Sequence, residues 1–234
     1  MATANTSAER GGGPLAGIEE LQNLSPAELE AVAVYCHWHR YAAGKVIIRQ
    51  QHDSTFFIVQ GMVQVIYYSR EGHEVILYDL SSGDMFGELA AIDGHTRSAT
   101  VIAKKDSVLA SLPTQSFLDL TYSNKEVYLA VLKRLTSQVR HLIDRVYSLS
   151  TLKVSDRIRT ELLRLAKTHP AAPNRGVISP IPTHAELASR ISTHREAVTR
   201  ELNELARQKV IARTGRDLHI LDMTSLGKMV NEKW

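Results

Sequence analysis

The sequence contains a single cysteine, Cys36. One thiol excludes an internal disulfide framework and an iron–sulfur cluster ligated by several cysteines of one chain, and it points to a reducing compartment. A long apolar run is missing as well, which excludes a membrane-spanning helix, and the opening MATANTSAERGGGP lacks the apolar core of a secretory signal. A cytoplasmic protein is expected, with residues 1–14 as a flexible tail. No Walker loop, Gly-x-Ser-x-Gly elbow or His-Glu-x-x-His pair occurs, so no catalytic constellation is expected and the chain reads as a non-enzyme. His37 and His39 beside Cys36 have the look of metal ligands. On a strand, though, positions two apart share a face without making a tetrahedral site, and no further ligand is evident, so no metal is expected.

What the chain does have is length, apolar content and an uneven charge. At 234 residues it exceeds the usual single-domain size, and its 44% hydrophobic share supplies a proper core. The net charge of +3 hides an asymmetry: from Thr151 onward 15 Lys and Arg face 9 Asp and Glu, leaving about −3 for residues 1–150. The C-terminal third is therefore the half suited to a polyanion, although a solvated basic surface would look the same.

Patterning divides the chain further. Ser25 and Pro26 stand ahead of a helical apolar pattern, a good start signal. From about residue 37 to 112 short β-branched runs (KVIIR, TFFIV, VQVIYYS, EVILYDL, ATVIA, SVLASL) alternate with Gly44, Gly61, Gly72, Gly83, Gly87 and Gly94, which predicts an antiparallel β-roll or barrel. Helical periodicity returns near Asn124 and runs to His169 without Pro or Gly. Within it Leu132, Leu135, Val139, Leu142, Val146 and Leu149 recur at spacings of 3 and 4, the a/d seam of a parallel coiled-coil dimer. Leu149 to Lys153 is where this helix should hand over to a second domain. After a proline-marked loop at 170–173, Thr183 with Glu186 and Thr193 with Glu196 both fit the capping box. Two short helices joined at Ile191-Ser192 make a helix-turn-helix, and VIARTGRDLHILD reads as a β-hairpin wing turning at Thr214-Gly215-Arg216.

Two stretches carry chemistry. Phe86-Gly87-Glu88-Leu89-Ala90 followed by Arg97-Ser98-Ala99-Thr100 offers a glycine where backbone N–H groups can approach an anion, an arginine able to pair with a phosphate, a hydroxyl beside it and a carboxylate that can accept from a sugar hydroxyl. A singly charged phosphate on a ribose would satisfy all four; a turn glycine with a surface Glu–Arg pair is the plainer alternative. At the start of the second C-terminal helix stand Arg195, Glu196 and Arg200. Arginine can bind guanine O6 and N7 bidentately and glutamate can accept from cytosine N4. The same spacing also suits an i,i+4 salt bridge on a solvated helix.

These segments, together with CHWHRY, GMVQV, SSGDMFGELA and LKVSDRI, resemble the CRP/FNR superfamily, nearest its cyclic AMP receptor branch, over nearly the whole chain after residue 20. The resemblance implies an α+β protein: a β-roll of the cyclic nucleotide-binding fold over residues 15–122, a dimerisation helix and hinge over 123–152, and a winged helix-turn-helix over 153–234. It implies cyclic AMP as allosteric ligand, with double-stranded DNA, a second copy of the chain and RNA polymerase as partners. Carried over by position, Gly87 and Ser98 would donate to the cyclic phosphate, Arg97 would pair with it, Glu88 would accept from the ribose, and Leu89 and Ala99 would add backbone contacts. One departure stands out. Where cyclic AMP receptors of the family place a Thr-Ser pair against the purine, unbroken alignment puts Leu142 and Ile143, neither able to hydrogen-bond. Gln138, His141 and Arg145 are the polar neighbours, and looser base discrimination with cyclic GMP tolerated is expected. Arg195, Glu196 and Arg200 resemble the trio that reads a TGTGA half-site, and a two-fold dimer then implies an inverted repeat. Thr183, Thr193, His194 and Arg213 are expected phosphate contacts. A regulator of the same fold with ligand-independent or non-nucleotide control is the alternative.

Overall fold

In the computed structural model, which describes residues 13–48, 54–69, 72–97, 99–167 and 174–230, helix α1 (Pro26–Val34) starts at its sequence signal. Ser25 Oγ accepts from the Glu28 N–H at 3.4 Å while the Ser25 N–H donates to Glu28 Oε2 at 2.7 Å. This reciprocal cap satisfies two backbone donors and is worth about 1 kcal/mol. A single 3₁₀ turn at Glu19–Leu21 precedes it. Of the expected N-terminal tail, residues 1–12 lie outside the described residues; the Gly13 carbonyl accepts from Ala16, and Leu15 is already in the core.

Eight strands follow, β1 (His37–Tyr41), β2 (Val46–Ile48), β3 (Ser54–Gln60), β4 (Met62–Tyr68), β5 (Glu74–Ser81), β6 (Met85–Phe86), β7 (Thr100–Ala103) and β8 (Ser107–Pro113). They form two antiparallel four-stranded sheets, in the orders β1-β8-β3-β6 and β2-β7-β4-β5, the β-roll that the alternating runs predict. Strand β3 shows why its run is apolar throughout. Successive side chains point to opposite faces, so Phe56 and Ile58 enter one core cluster with Ile48, Val63 and Leu109, while Phe57 enters another with Leu15, Met85 and Phe117. Burying each such side chain stabilises by about 1.5–3 kcal/mol. A two-sided load of this kind removes the polar alternation of a half-exposed strand. Between β3 and β4, Gly61 turns at φ +110°, where a Cβ would meet Ser107 Oγ at 2.2 Å.

The segment within β6 to β7 is not only loop: Glu88–Asp93 forms a short helix, α2, and a further helix, α3 (Thr114–Ser123), follows β8. The helical periodicity from Asn124 to His169 is carried by two helices, α4 (Lys125–Thr151) and α5 (Val154–Lys167); residues 168 and 169 lie outside the described residues. Asn124 starts α4 by accepting from the N–H groups of Glu126 and Val127 at 3.0 and 3.1 Å. At the other end the Thr151 hydroxyl donates back to the Tyr147 carbonyl at 2.7 Å, a bond that competes with helix continuation. The break between α4 and α5 is at Leu152–Lys153.

The contacts of the chain group into two compact units, residues 1–139 and 140–234. In the first, α4 buries Val127 and Val131 in the roll core, and Leu135 packs partly against the same cluster. That corrects the seam: Leu135 serves the roll, whereas Leu132, Val139, Leu142, Val146 and Leu149 stay exposed, Val139 by 55% and Val146 by 63%. In the second unit, α6 (His184–Arg190) and α7 (Arg195–Arg207) form the helix-turn-helix, and α8 (Met223–Lys228) closes the chain. The wing is β10 (Ile211–Thr214) against β11 (Asp217–Ile220), turning at Gly215-Arg216 as expected, with a third strand, β9 (Gly176–Ile178), that the sequence did not announce. Ile158, Leu162, Leu187, Val198, Leu202, Leu205, Ile220 and Leu226 make its core.

Candidate functional site

The cassette after β6 is built on an aromatic stack. Phe86 pairs with Phe56 across the sheet, their rings 5.1 Å apart and nearly parallel. The chain then turns through Gly87 at φ +86° and enters α2. Arg97 returns to the same spot: Nη1 donates to the Gly87 carbonyl at 2.6 Å and Nη2 to the Ser54 carbonyl at 2.5 Å. Only 9% of Arg97 is exposed. A Cβ on Gly87 would lie 2.5 Å from Arg97 Nη1, so the glycine is required by the close approach of the guanidinium as well as by its backbone angle.

Glu88 is 3% exposed and points back to α4. Its Oε1 accepts from Gln138 Nε2 at 3.0 Å and lies 3.9 Å from Arg134 Nε. Thus the structure brings together Gly87, Glu88, Arg97 and Gln138 of the expected site. Leu89 is exposed, Ala99 is half-buried ahead of β7, and Ser98 lies outside the described residues. Arg134 is the member that the sequence analysis missed. It sits at an i−4 step from Gln138, and nothing in the pattern of α4 distinguishes it from other surface arginines until the fold brings Glu20, Asp84 and Glu88 to it.

The second unit holds the other candidates. Leu142 and Ile143 are exposed on α4. Burial, followed by the positive charges of Arg164 and Arg145, lowers the His141 imidazole below its ordinary value and favours the neutral ring.

In the helix-turn-helix, Thr183 Oγ1 accepts from the Glu186 N–H at 3.1 Å, which makes one half of the expected capping box at α6, while the Glu186 carboxylate accepts from Arg190 at 2.9 Å. The second expected cap is not made. The N-cap of α7 is His194, with no side-chain capping bond, and Thr193 lies one residue outside, its N–H donating to the Ala188 carbonyl. The tight turn, with Ser192 at φ 53°, shifts the helix start by one residue. Arg195, Glu196 and Arg200 are all exposed, and no ion pair joins Glu196 to Arg200 among the described residues. With Thr199, Asn203, Glu204 and Arg207 they line a shallow surface hollow of about 660 Å³ along α7. Their presentation depends on ties from behind. His184 Nδ1 and Thr199 Oγ1 lie 2.7 Å apart between α6 and α7, and Arg157 Nη1 donates to the Ile191 carbonyl in the turn at 3.0 Å. Arg159 bonds Glu201 of α7 at 2.7 Å and the Met229 carbonyl after α8 at 3.0 Å. Arg213 is exposed on the wing, with Nε donating to the Gly215 carbonyl at 3.3 Å.

The suspected metal ligands have other partners: Cys36 Sγ donates to the Val32 carbonyl at 3.4 Å, and His39 Nε2 lies 2.8 Å from Ser111 Oγ. Among the described residues no helix is long and apolar enough to cross a membrane.

Known proteins share this arrangement. Residues 38–124 match the cyclic nucleotide-binding domain family, and residues 156–229 match the Crp-like helix-turn-helix domain. The chain is 30% identical over 193 residues to the cAMP-activated global transcriptional regulator CRP of Salmonella typhimurium, covering 81% of this chain and 92% of the relative. Against the cAMP-activated global transcriptional regulator Vfr of Pseudomonas aeruginosa the identity is 28% over 201 residues, with 81% and 92% covered. Among solved structures, the CRP/FNR-family transcriptional regulator TTHA1359 of Thermus thermophilus superposes with a TM-score of 0.69 at 24% identity, covering 85% of this chain and all of that one. The catabolite activator protein of the same organism covers 93% and 98% at 25% identity, with a TM-score of 0.51. A β-roll of the cyclic nucleotide-binding domain family, ahead of a winged helix-turn-helix of the Crp-like family, defines a DNA-binding transcriptional regulator. The chain belongs to the CRP/FNR family of transcriptional regulators, with a cyclic nucleotide-binding domain and a Crp-like helix-turn-helix.

Proposed function

We propose that the protein is a cyclic nucleotide-gated regulator that binds DNA as a homodimer when loaded with cyclic AMP, tolerates cyclic GMP, and reads a TGTGA-N6-TCACA palindrome. The observation that carries this reading is the convergence of Gly87, Arg97 and Glu88: a guanidinium held against a left-handed glycine, with a buried carboxylate on the next residue. Arg97, the Gly87 backbone and the Ser98 hydroxyl would hold the cyclic phosphate, and Glu88 would accept from the ribose. Gln138, already bonded to Glu88, is favoured over Leu142 and Ile143 as the group of α4 nearest the sugar. Its amide both donates and accepts, so it can meet the edge of adenine or of guanine by turning over, which supports loose base selection.

The exposed stripe Leu132, Val139, Leu142, Val146 and Leu149 supports pairing of α4 with a second copy. Arg195, Glu196 and Arg200, exposed and clear of mutual pairing, would read base edges in the major groove, with Thr183, Thr193, His194 and Arg213 on phosphates. Ligand gates DNA only through unequal affinity for the two states, so by linkage operator DNA should tighten nucleotide binding by the same factor. RNA polymerase is the expected further partner, in the cytoplasm.

Fluorescence anisotropy of a labelled TGTGA-N6-TCACA duplex at fixed salt, without ligand, with cyclic AMP and with cyclic GMP, tests the whole reading. Tight binding with either nucleotide and weak binding without is the expected result. Binding regardless of ligand would favour ligand-independent control, and no binding in any arm would remove the half-site assignment.

A further inference from the structure

Arg134 sits behind the cassette with more negative charge around it than it can balance. Its Nη1 donates to Glu20 Oε1 at 3.4 Å and Asp84 Oδ1 at 3.3 Å, its Nη2 donates to the Met85 carbonyl, and its Nε lies 3.9 Å from Glu88 Oε1. One guanidinium on α4 thereby ties together the 3₁₀ turn at Glu19–Leu21, the turn between β5 and β6, and the cassette helix α2. Its side chain is 11% exposed and that of Glu20 3%, so water screens these charges little. Two atoms of the cluster are buried without a hydrogen-bond partner, Glu20 Oε2 and Arg134 Nε. Burial raises the Glu20 carboxyl above its ordinary 4.5, Arg134 and the Glu20 backbone N–H oppose that, and the neighbouring Glu19 and Asp84 add to it.

Resting on the nucleotide reading above, we propose that Arg134 is a positioning residue of that site, its charge facing Glu88 while Gln138 supplies the hydrogen bond, and that Glu20 takes up a proton when an anionic nucleotide binds. Three carboxylates already share one cation. A nucleotide phosphate adds a further negative charge, which makes it costlier to keep all three ionised. Glu20 is the member that gives way, since half of its carboxylate has nothing to accept from. The proton comes from solvent, and nucleotide affinity rises as pH falls through the Glu20 titration.

Titration calorimetry of the full chain with cyclic AMP, in two buffers of different ionisation enthalpy at about pH 5.5 and about pH 7.5, reads this proton directly. The wild-type protein should take up a fraction of a proton and bind several-fold more tightly at the lower pH. Glu20→Gln should bind without proton uptake and lose the pH dependence. Arg134→Gln should bind about tenfold more weakly, also without uptake, because Glu20 is then protonated beforehand; Arg134→Lys should recover part of the affinity. A merely structural Arg134 would lower the melting temperature and leave the proton count alone. Wild-type binding with equal enthalpy in both buffers would overturn the proposal and leave the nucleotide site standing, as would uptake that persists in Glu20→Gln. No binding of cyclic AMP or cyclic GMP by the wild-type chain would overturn both.

Discussion

The guanidinium of Arg97 donates to the carbonyl of Gly87 at 2.6 Å, so two residues ten apart in the chain meet at one corner of the proposed nucleotide site. Gly87→Ala adds a Cβ 2.5 Å from Arg97 Nη1 at a backbone angle of φ +86°. The substitution should cost about 1–3 kcal/mol of stability from backbone strain and displacement of the arginine. Denaturant unfolding would measure that cost, and calorimetry should show nucleotide binding lost even where the variant is folded.

A charge on the open face of α4 should separate the dimer. Val146 is 63% exposed in the single chain, and Val146→Glu places a carboxylate against its counterpart in a paired seam. Sedimentation velocity should show a monomer, with circular dichroism unchanged and operator affinity strongly reduced. A dimer that survives both this change and Leu142→Glu would assign the stripe another role.

Glu196 is exposed at the start of α7 with no ion pair to Arg200, so its loss leaves no buried charge behind. Glu196→Ala should relax preference at one base pair by about 1–3 kcal/mol while sparing stability. A selection from randomised half-sites would reveal it; unchanged selectivity would make Glu196 a bystander.

Burial pushes the Cys36 thiol up to about 11, and its Sγ donates to the Val32 carbonyl. At about pH 8 it should react with a disulfide reagent roughly two orders of magnitude more slowly than an exposed thiol of ordinary value near 8.5. Urea should restore the normal rate. Fast reaction of the folded protein would mean that the segment around α1 opens readily.

Glu20 sets the sign of an acid effect. Its carboxyl is raised by burial, so the folded state holds the proton more tightly than the unfolded chain does. That contribution is fully present below the unfolded value and is lost as pH rises through the folded one. Glu20→Gln should therefore flatten the fall in stability above about pH 4.5, measured as the denaturation midpoint across pH.

Much of this architecture is legible along the chain because the signals are local. Ser25 with Pro26 and Glu28 starts α1, Thr183 with Glu186 starts α6, and Gly215 turns the wing, since capping and turn geometry act over three or four residues. Where the competing interaction is distant, the local signal misleads. Thr193 looks like a cap, but the packed turn through Ser192 hands that place to His194. Leu135 fits the seam, but the roll core claims it.

By itself the sequence determined the β-roll, the apolar stripe of α4 and the helix-turn-helix, because apolar periodicity and turn chemistry specify elements one at a time. Only the tertiary structure decided which side chain of α4 meets Glu88, and that Arg134 gathers Glu20, Asp84 and Glu88 around one charge. Those contacts join positions 50 and 114 residues apart. Their energy comes from excluding water around them, a condition created when Leu15, Met85, Phe117 and Val127 close the core beside them.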